Sequence, residues 1–576
     1  MVRGSLVPAS GRTPLGSTLL AWGFVALLAA GLLYPVALSV GKGFLDEGRP
    51  SLYWIKYVLT SPEQLGYMGN SLLLAATATL ISIVIALPLA VLRATRRFLG
   101  SGVLGVAVLV PLILPPFVGA MSMRRLLSEN GILNALFMQW GWLDPSTRNP
   151  DWLVSGGFFA VAMVQALHLF PILYLNLSAA MANIDPAYRQ AARDLGASRG
   201  RTFWSVTLPL LRPGLFAGGT IVFIWALTDV GTPLMVGVDN LLAVRIFKLL
   251  EVGSLGGKTY AMVTVLLAGS IGLYVLGKFL LGRPIRTESA KATVAEEIRT
   301  LGPVGTGFTW LLFGSVVFLA ILPHLGVVVW ALSGDWINSV LPTTWTGAHM
   351  KEVLDRPESY NSIINSLRYA GVSTTIDLLA GGMIAYLLVR TRARGKTVLD
   401  AFAMLPLAVP GMILAAGYLA ITAPGKPLAG IGPDGNPFMI LVIAYAVRRL
   451  PFVVRGVSAG LEQIPVSLEE AARNLGATRT KTLWRVTLPL LSASLIAAGV
   501  LTFSFAMLEV SDSLLLAQDR MDFPITKEIY KLAMAGTPDA LNRAAAMGVY
   551  AMVLLAGTMA VATVLLGKKL GAIFRA

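Results

Sequence analysis

Cysteine is absent from the 576 residues, histidine occurs three times, and only 13% of the chain is charged. Without cysteine there are no disulfides, thiolate nucleophiles or cysteine metal sites. His168, His324 and His349 share no close spacing, so a histidine metal cluster is not expected. A soluble globular domain carries roughly a quarter charged residues, so the shortage of charge argues against one. A phosphate-cradling loop, which needs G-x-x-x-x-G-K-[ST], is missing too. The nearest approach, Gly11 to Thr18 (GRTPLGST), has Ser17 where the lysine belongs and follows a polar tail rather than a strand.

What the chain has instead is apolar sequence, 55% of it hydrophobic, gathered in blocks of about twenty residues. That length matches a hydrocarbon core of about 30 Å at about 1.5 Å rise per helical residue. Backbone groups in lipid must be satisfied internally, so the blocks predict helices. The expectation is an all-α membrane protein with twelve spans, near 18–40, 69–92, 101–122, 154–180, 213–237 and 259–281, then 305–333, 361–390, 398–422, 437–460, 491–516 and 541–567. No clear cleavage site follows the first block, which reads as a retained helix behind a tail of residues 1–17.

The formal charge of +16 is unevenly placed. With the N-terminus in the cytoplasm, basic turns such as Arg93, Arg96, Arg97 and Arg390, Arg392, Arg394, Lys396 fall on the cytoplasmic side. The positive charge therefore reports orientation, and a nucleic-acid partner is not expected. The stretch from Leu136 to Trp142, with Trp140, suits an outer headgroup interface. Residues 283–304, short and charged, read as a cytoplasmic linker between a first transmembrane domain, 18–282, and a second, 305–576.

The two domains repeat one another. IDPAYRQAARDLGASRGRTFWSVTLPLL, Ile184–Leu211, aligns with IPVSLEEAARNLGATRTKTLWRVTLPLL, Ile464–Leu491, with more than half the positions identical. Upstream, Asn70-Ser71-Leu72 matches Asn365-Ser366-Leu367, and Pro111 and Pro115 match Pro406 and Pro410. Two six-span copies running the same way are a parallel duplication with both repeated loops on the cytoplasmic face. Each loop holds a short helix. Asp185 and Pro186 suit a cap and first position in one copy, and Ser467 with Glu470 has capping-box spacing in the other. Both helices carry two alanines and end at a glycine, Gly196 or Gly476, where a left-handed cap costs least.

The loop resembles the EAA loop of binding-protein-dependent ABC importer permeases, the MetI-like superfamily. That pattern is Glu-Ala-Ala, three residues, Gly, nine residues and Ile-x-Leu-Pro. The second copy has Glu470-Ala471-Ala472, Gly476 and Val486-Thr487-Leu488-Pro489. The first departs from it with Gln190 before Ala191, Ala192, Gly196 and Val206-Thr207-Leu208-Pro209, and valine replaces isoleucine in both. The resemblance implies a type I ABC importer fold in a bacterial plasma membrane, with both termini cytoplasmic. It also implies that Gln190, Ala191, Ala192, Leu195, Gly196 and Glu470, Ala471, Ala472, Leu475, Gly476 couple to two copies of an ABC ATPase. No cofactor belongs to this chain, since ATP and Mg would sit on the ATPase. A periplasmic or lipid-anchored binding protein would deliver the solute.

Within the spans, buried carboxylates cost at least ~2.5 kcal/mol each. Asp229, Glu509 and Asp512 either line the translocation pathway or pack against polar neighbours such as Thr228 and Ser511. His168 and His324 read as packing residues and His349 as solvated. Arg448 and Arg449 either snorkel to an interface or line a cavity. Asp229-Val-Gly231-Thr232 and Glu509-Val-Ser-Asp512 look like the fused ferric iron, FbpB-type branch, so ferric iron is the expected cargo. Thiamine, polyamine, aminophosphonate and sugar phosphate are the alternatives. A secondary transporter would have no reason to repeat a capped cytoplasmic loop. An enzyme would need a catalytic cluster, which the sequence does not display, so a transport subunit is expected.

Overall fold

The computed structural model describes residues 15–144, 146–153, 157–281, 300–334, 336 and 339–566. Most of the expected tail, 1–17, and of the linker, 283–304, lies outside the described residues. Among those described, nine helices are long and apolar enough to cross a membrane, or eleven if each of two bent pairs is one span. A twelfth crossing would need Phe438–Gln463 as well, whose Arg448, Arg449 and Arg455 make it too charged to count on composition. A two-residue hairpin pairs Leu45–Asp46 with Arg49–Pro50.

Each half is built on three packed helices. In the first, Pro62–Thr95 lies along Gly157–Ala182, and Leu208–Thr228 closes the group; in the second, Pro357–Arg390, Phe438–Gln463 and Leu488–Met507 do the same. Small residues let these helices approach closely, which is how helices associate in lipid. A Cβ at Gly218 would run into Leu173, and one at Gly381 into Val453.

Two spans expected as single helices are sharply bent. The third turns by 85° between Ser101–Leu112 and Pro116–Gln139, and the ninth by 100° between Lys396–Leu407 and Gly411–Ile421. Proline cannot donate the helical hydrogen bond, so Pro115 and Pro410 leave extended backbone at the corner. The spans expected at 213–237 and 491–516 are also interrupted. Leu208–Thr228 stops at Asp229, and the short helix Gly231–Val236 follows; Leu488–Met507 stops at Leu508, and Ser511–Leu516 follows.

The first helix of each half crosses to the other. Leu15–Lys42 packs on the bent span of the second half, where the Tyr418 hydroxyl donates to the Gly31 carbonyl at 2.8 Å and Gly417 sits against Pro35. Pro303–Ala331 packs on the bent span of the first half, with Trp310 Nε1 donating to Leu99 O at 2.9 Å. The two halves, repeats of one another in sequence, thus each lay their leading helix against the other half.

Candidate functional site

Two kinds of site emerge, a pair of exposed loops at one end of the bundle and a cavity between the halves. The loop helices are Pro186–Asp194 and Val466–Asn474. Asp185 caps the first as expected, its Oδ1 accepting from Ala187 N at 2.9 Å. The capping box expected at Ser467 and Glu470 does not form. Pro465 precedes a helix that has already begun at Val466, so Ser467 lies inside it and no side chain caps it. Gly196 and Gly476 end their helices with φ of 82° and 85°.

Gln190, Ala191, Leu195, Gly196 and Glu470, Ala471, Leu475, Gly476 are exposed, and Ala192 and Ala472 are half-buried. Leu195 and Leu475 are each 89% exposed, Trp204 68% and Trp484 67%. Two equivalent apolar ridges therefore stand free beside two small-residue helix faces. A five-residue π-helical stretch, Phe203–Thr207 or Leu483–Thr487, joins each ridge to its spanning helix.

Behind the second loop sits an anchor that sequence reasoning missed. Glu469 points inward, accepting from Arg390 Nε at 3.0 Å and Thr487 Oγ1 at 3.2 Å. Arg390 Nη2 also donates to the carbonyls of Leu461 at 2.8 Å and Ile464 at 2.6 Å. The side chains of Arg390 and Glu469 are each 7% exposed. A movement of this loop is thereby tied to two spanning helices.

The cavity, of about 200 Å³, lies between the halves and is walled by both bent spans and both interrupted helices. The loop-region alignment pairs Asp229 with Glu509, His168 with Arg448, Trp225 with Phe505 and Gln165 with Tyr445. The first three pairs line the cavity. Trp225 and Phe505 meet edge-on across the halves at 6.2 Å.

Asp229 and Glu509 do the same local job. Asp229 Oδ1 accepts from Gly231 N at 3.0 Å, and Glu509 Oε1 accepts from Asp512 N at 3.1 Å. Each carboxylate holds the break in its helix by taking backbone donors that the interruption leaves unpaired. Their further partners differ. Asp229 Oδ2 accepts from Gln165 Nε2 at 3.1 Å, a neutral partner. Glu509 is gripped by two arginines, Arg448 Nη1 at 2.7 Å and Arg449 Nη2, and Arg448 also reaches Asp512 Oδ2 at 3.3 Å. Glu509 and Asp512 side chains are 3% and 0% exposed, and Arg448 is 23% exposed.

Asp229 and Glu509 therefore reach the cavity wall, and Asp512 stands behind it as a partner of Arg448. The neighbours expected for packing, Thr228 and Ser511, are not what hold the carboxylates. Arg448 and Arg449 line a cavity rather than snorkel. His168 Nδ1 meets Pro111 O at 2.8 Å and lines the cavity, and His324 Nε2 meets Pro115 O at 3.1 Å, so both histidines pin the bent span of the first half. His349, expected to be solvated, is half-buried with Nε2 on the Ser333 carbonyl at 3.1 Å. Among the described residues, no three acidic or histidine side chains converge as a metal site would require.

Known proteins fit this arrangement. The model of the family described as "Binding-protein-dependent transport system inner membrane component" matches twice, over residues 76–286 and 378–571, together well over half of the chain. The chain belongs to this family of inner membrane transport components. The double match follows the internal repeat, one copy for each half. Among similar proteins is a putative ferric transport system permease protein, FbpB 1, of Haemophilus influenzae, 28% identical over 83% of this chain and 74% of that protein. The ferric transport system permease protein FbpB of Actinobacillus pleuropneumoniae is 28% identical over 83% of this chain and 69% of its own length. A probable ABC transporter permease, y4fN, of Sinorhizobium fredii is 26% identical over 95% of both chains. This inner membrane component is accordingly a fused permease of a binding-protein-dependent importer, a multi-pass membrane protein that works with an ATPase and a binding protein.

Proposed function

We propose that this fused permease carries ferric iron inward, driven by two copies of an ATPase docked on the loops around Gly196 and Gly476. The observation that carries the transport path is the cavity shared by equivalent breaks at Asp229 and Glu509. The cargo is inferred from two relatives named for ferric transport, each similar over 83% of this chain. Asp229 and Glu509 line the path, while Arg448 and Asp512 hold Glu509 in place.

The proposed cycle follows from the connections. Closure of the ATPase dimer moves Pro186–Asp194 and Val466–Asn474. Through Arg390 and Glu469 the second loop pulls on Pro357–Arg390 and Phe438–Gln463. The halves rock and the cavity changes the side to which it opens. ATP and Mg stay with the ATPase. The loops face the cytoplasm with both termini, and the binding protein delivers from the opposite side.

The test is uptake of radiolabelled ferric iron by cells deleted for this gene and complemented with the intact chain. Restored uptake that excess unlabelled thiamine, polyamine, aminophosphonate or sugar phosphate leaves unchanged supports the iron reading. Unrestored iron uptake removes iron, and restored uptake of one of those other solutes identifies the cargo instead.

A further inference from the structure

Asp377 is a buried membrane carboxylate to which the cavity assigns no task. It lies midway along Pro357–Arg390, is 1% exposed, and neither carboxylate oxygen has a hydrogen-bond partner. An isolated charge in such a place is costly.

Its neighbour can be read from the packing. Pro357–Arg390 and Phe438–Gln463 run in the same direction: Tyr369 stacks near Phe438 and Tyr445, Gly381 sits against Leu450 and Val453, and Arg390 bonds Leu461 and Ile464. One turn back from Gly381 and Val453 are Asp377 and Arg449, at one level on facing helices. Arg449 is the basic residue at that level. Its Nη2 is engaged by Glu509 and by the Phe505 carbonyl, but its Nε is buried with no acceptor. An unpaired donor and an unpaired carboxylate thus lie at one level on facing helices.

The first half packs the same two helices without these charges. The match of Asn70-Ser71-Leu72 to Asn365-Ser366-Leu367 aligns Ser82 with Asp377, and the loop alignment pairs Leu169 with Arg449. The Ser82 hydroxyl has its partner, donating to Ala78 O at 2.8 Å with Ala166 O beside it at 3.4 Å. Holding the helix pair together therefore does not require an acid facing an arginine.

What distinguishes the second half is that Arg449 is bonded to the break that carries Glu509. That break borders the cavity, whereas Asp377 belongs to the packed helix pair. We infer that Asp377 is a second acceptor for the Arg449 guanidinium, occupied when the break carrying Glu509 moves away during transport. Arg449 then exchanges carboxylates instead of being stranded in the membrane, and Asp377 acts as a positioning residue for the moving break. The inference deepens the reading of this chain as a transport subunit and rests on it.

The test pairs uptake with a stability cycle on the full-length chain. Asp377→Asn removes a carboxylate unpaired in this state, so the purified chain should keep or raise its Tm, whereas ferric iron uptake in complemented cells falls by about tenfold or more. Asp377→Glu should restore uptake. Glu509→Gln alone lowers Tm, and Glu509→Gln with Asp377→Asn lowers it by more than the sum of the single shifts, because Arg449 then has neither acceptor. Wild-type uptake by Asp377→Asn, or additive Tm shifts, overturns the inference. If even the intact chain fails to restore iron uptake, the iron reading fails, and the Tm cycle still decides the exchange.

Discussion

Gly196 and Gly476 are held in a left-handed conformation with open space where a Cβ would stand. Replacing both by alanine therefore strains the backbone alone, by about 1–2 kcal/mol at each site. The expected result is normal membrane abundance with ATP-dependent uptake reduced several-fold, read by immunoblot and uptake in the same cells. Arg390→Ala acts differently, since it leaves Glu469 buried without its cation. Breaking a buried pair costs about 3–5 kcal/mol, so the variant should lose several degrees in Tm, and a variant that keeps its Tm would show that the anchor contributes nothing. The glycines were legible in the sequence because a helix stop and a repeat coincided there. Glu469 was not, because it sits next to the exposed pattern while its side chain turns the opposite way.

At the scale of elements, hydropathy located the helices long and apolar enough to cross a membrane and missed their bends. Both limbs of Lys396–Leu407 and Gly411–Ile421 are apolar, so a window average stays high across a 100° turn. The repeated prolines marked the corners, but a proline kink and a right-angle turn look alike in sequence. The same blindness hid the breaks at Asp229 and Glu509, where one carboxylate replaces a turn of helix as the backbone's partner. The second corner is tightly built: a Cβ on Gly411 would overlap the Arg448 guanidinium. Gly411→Ala should drive Arg448 off Glu509 and Asp512, lowering uptake while the chain still inserts. Uptake equal to wild type, measured at matched membrane abundance, would show that the cluster tolerates the displacement.

Across the whole molecule, the parallel duplication was legible because a polar loop recurred with its spacing intact. The exchange of leading helices was not, because hydropathy says that a helix spans and nothing about which neighbour it packs on. The exchange makes a directional prediction. Removing residues 1–42 should uncover Gly417 and Tyr418 and so loosen the second half, beyond the contact that the segment also makes with Gly257–Leu281 of its own half. Limited proteolysis of the truncated chain should show new cuts near 396–421, and new cuts confined to 62–95 would contradict the exchange. The central claim is that ATP hydrolysis on the loop side drives solute through the shared cavity. The most direct test reconstitutes the chain with its ATPase in vesicles and supplies labelled ferric iron on its binding protein outside. The account predicts accumulation that requires ATP at the loop face and falls several-fold in the Gly196→Ala, Gly476→Ala double variant. Accumulation without ATP, or unchanged in that variant, would contradict it.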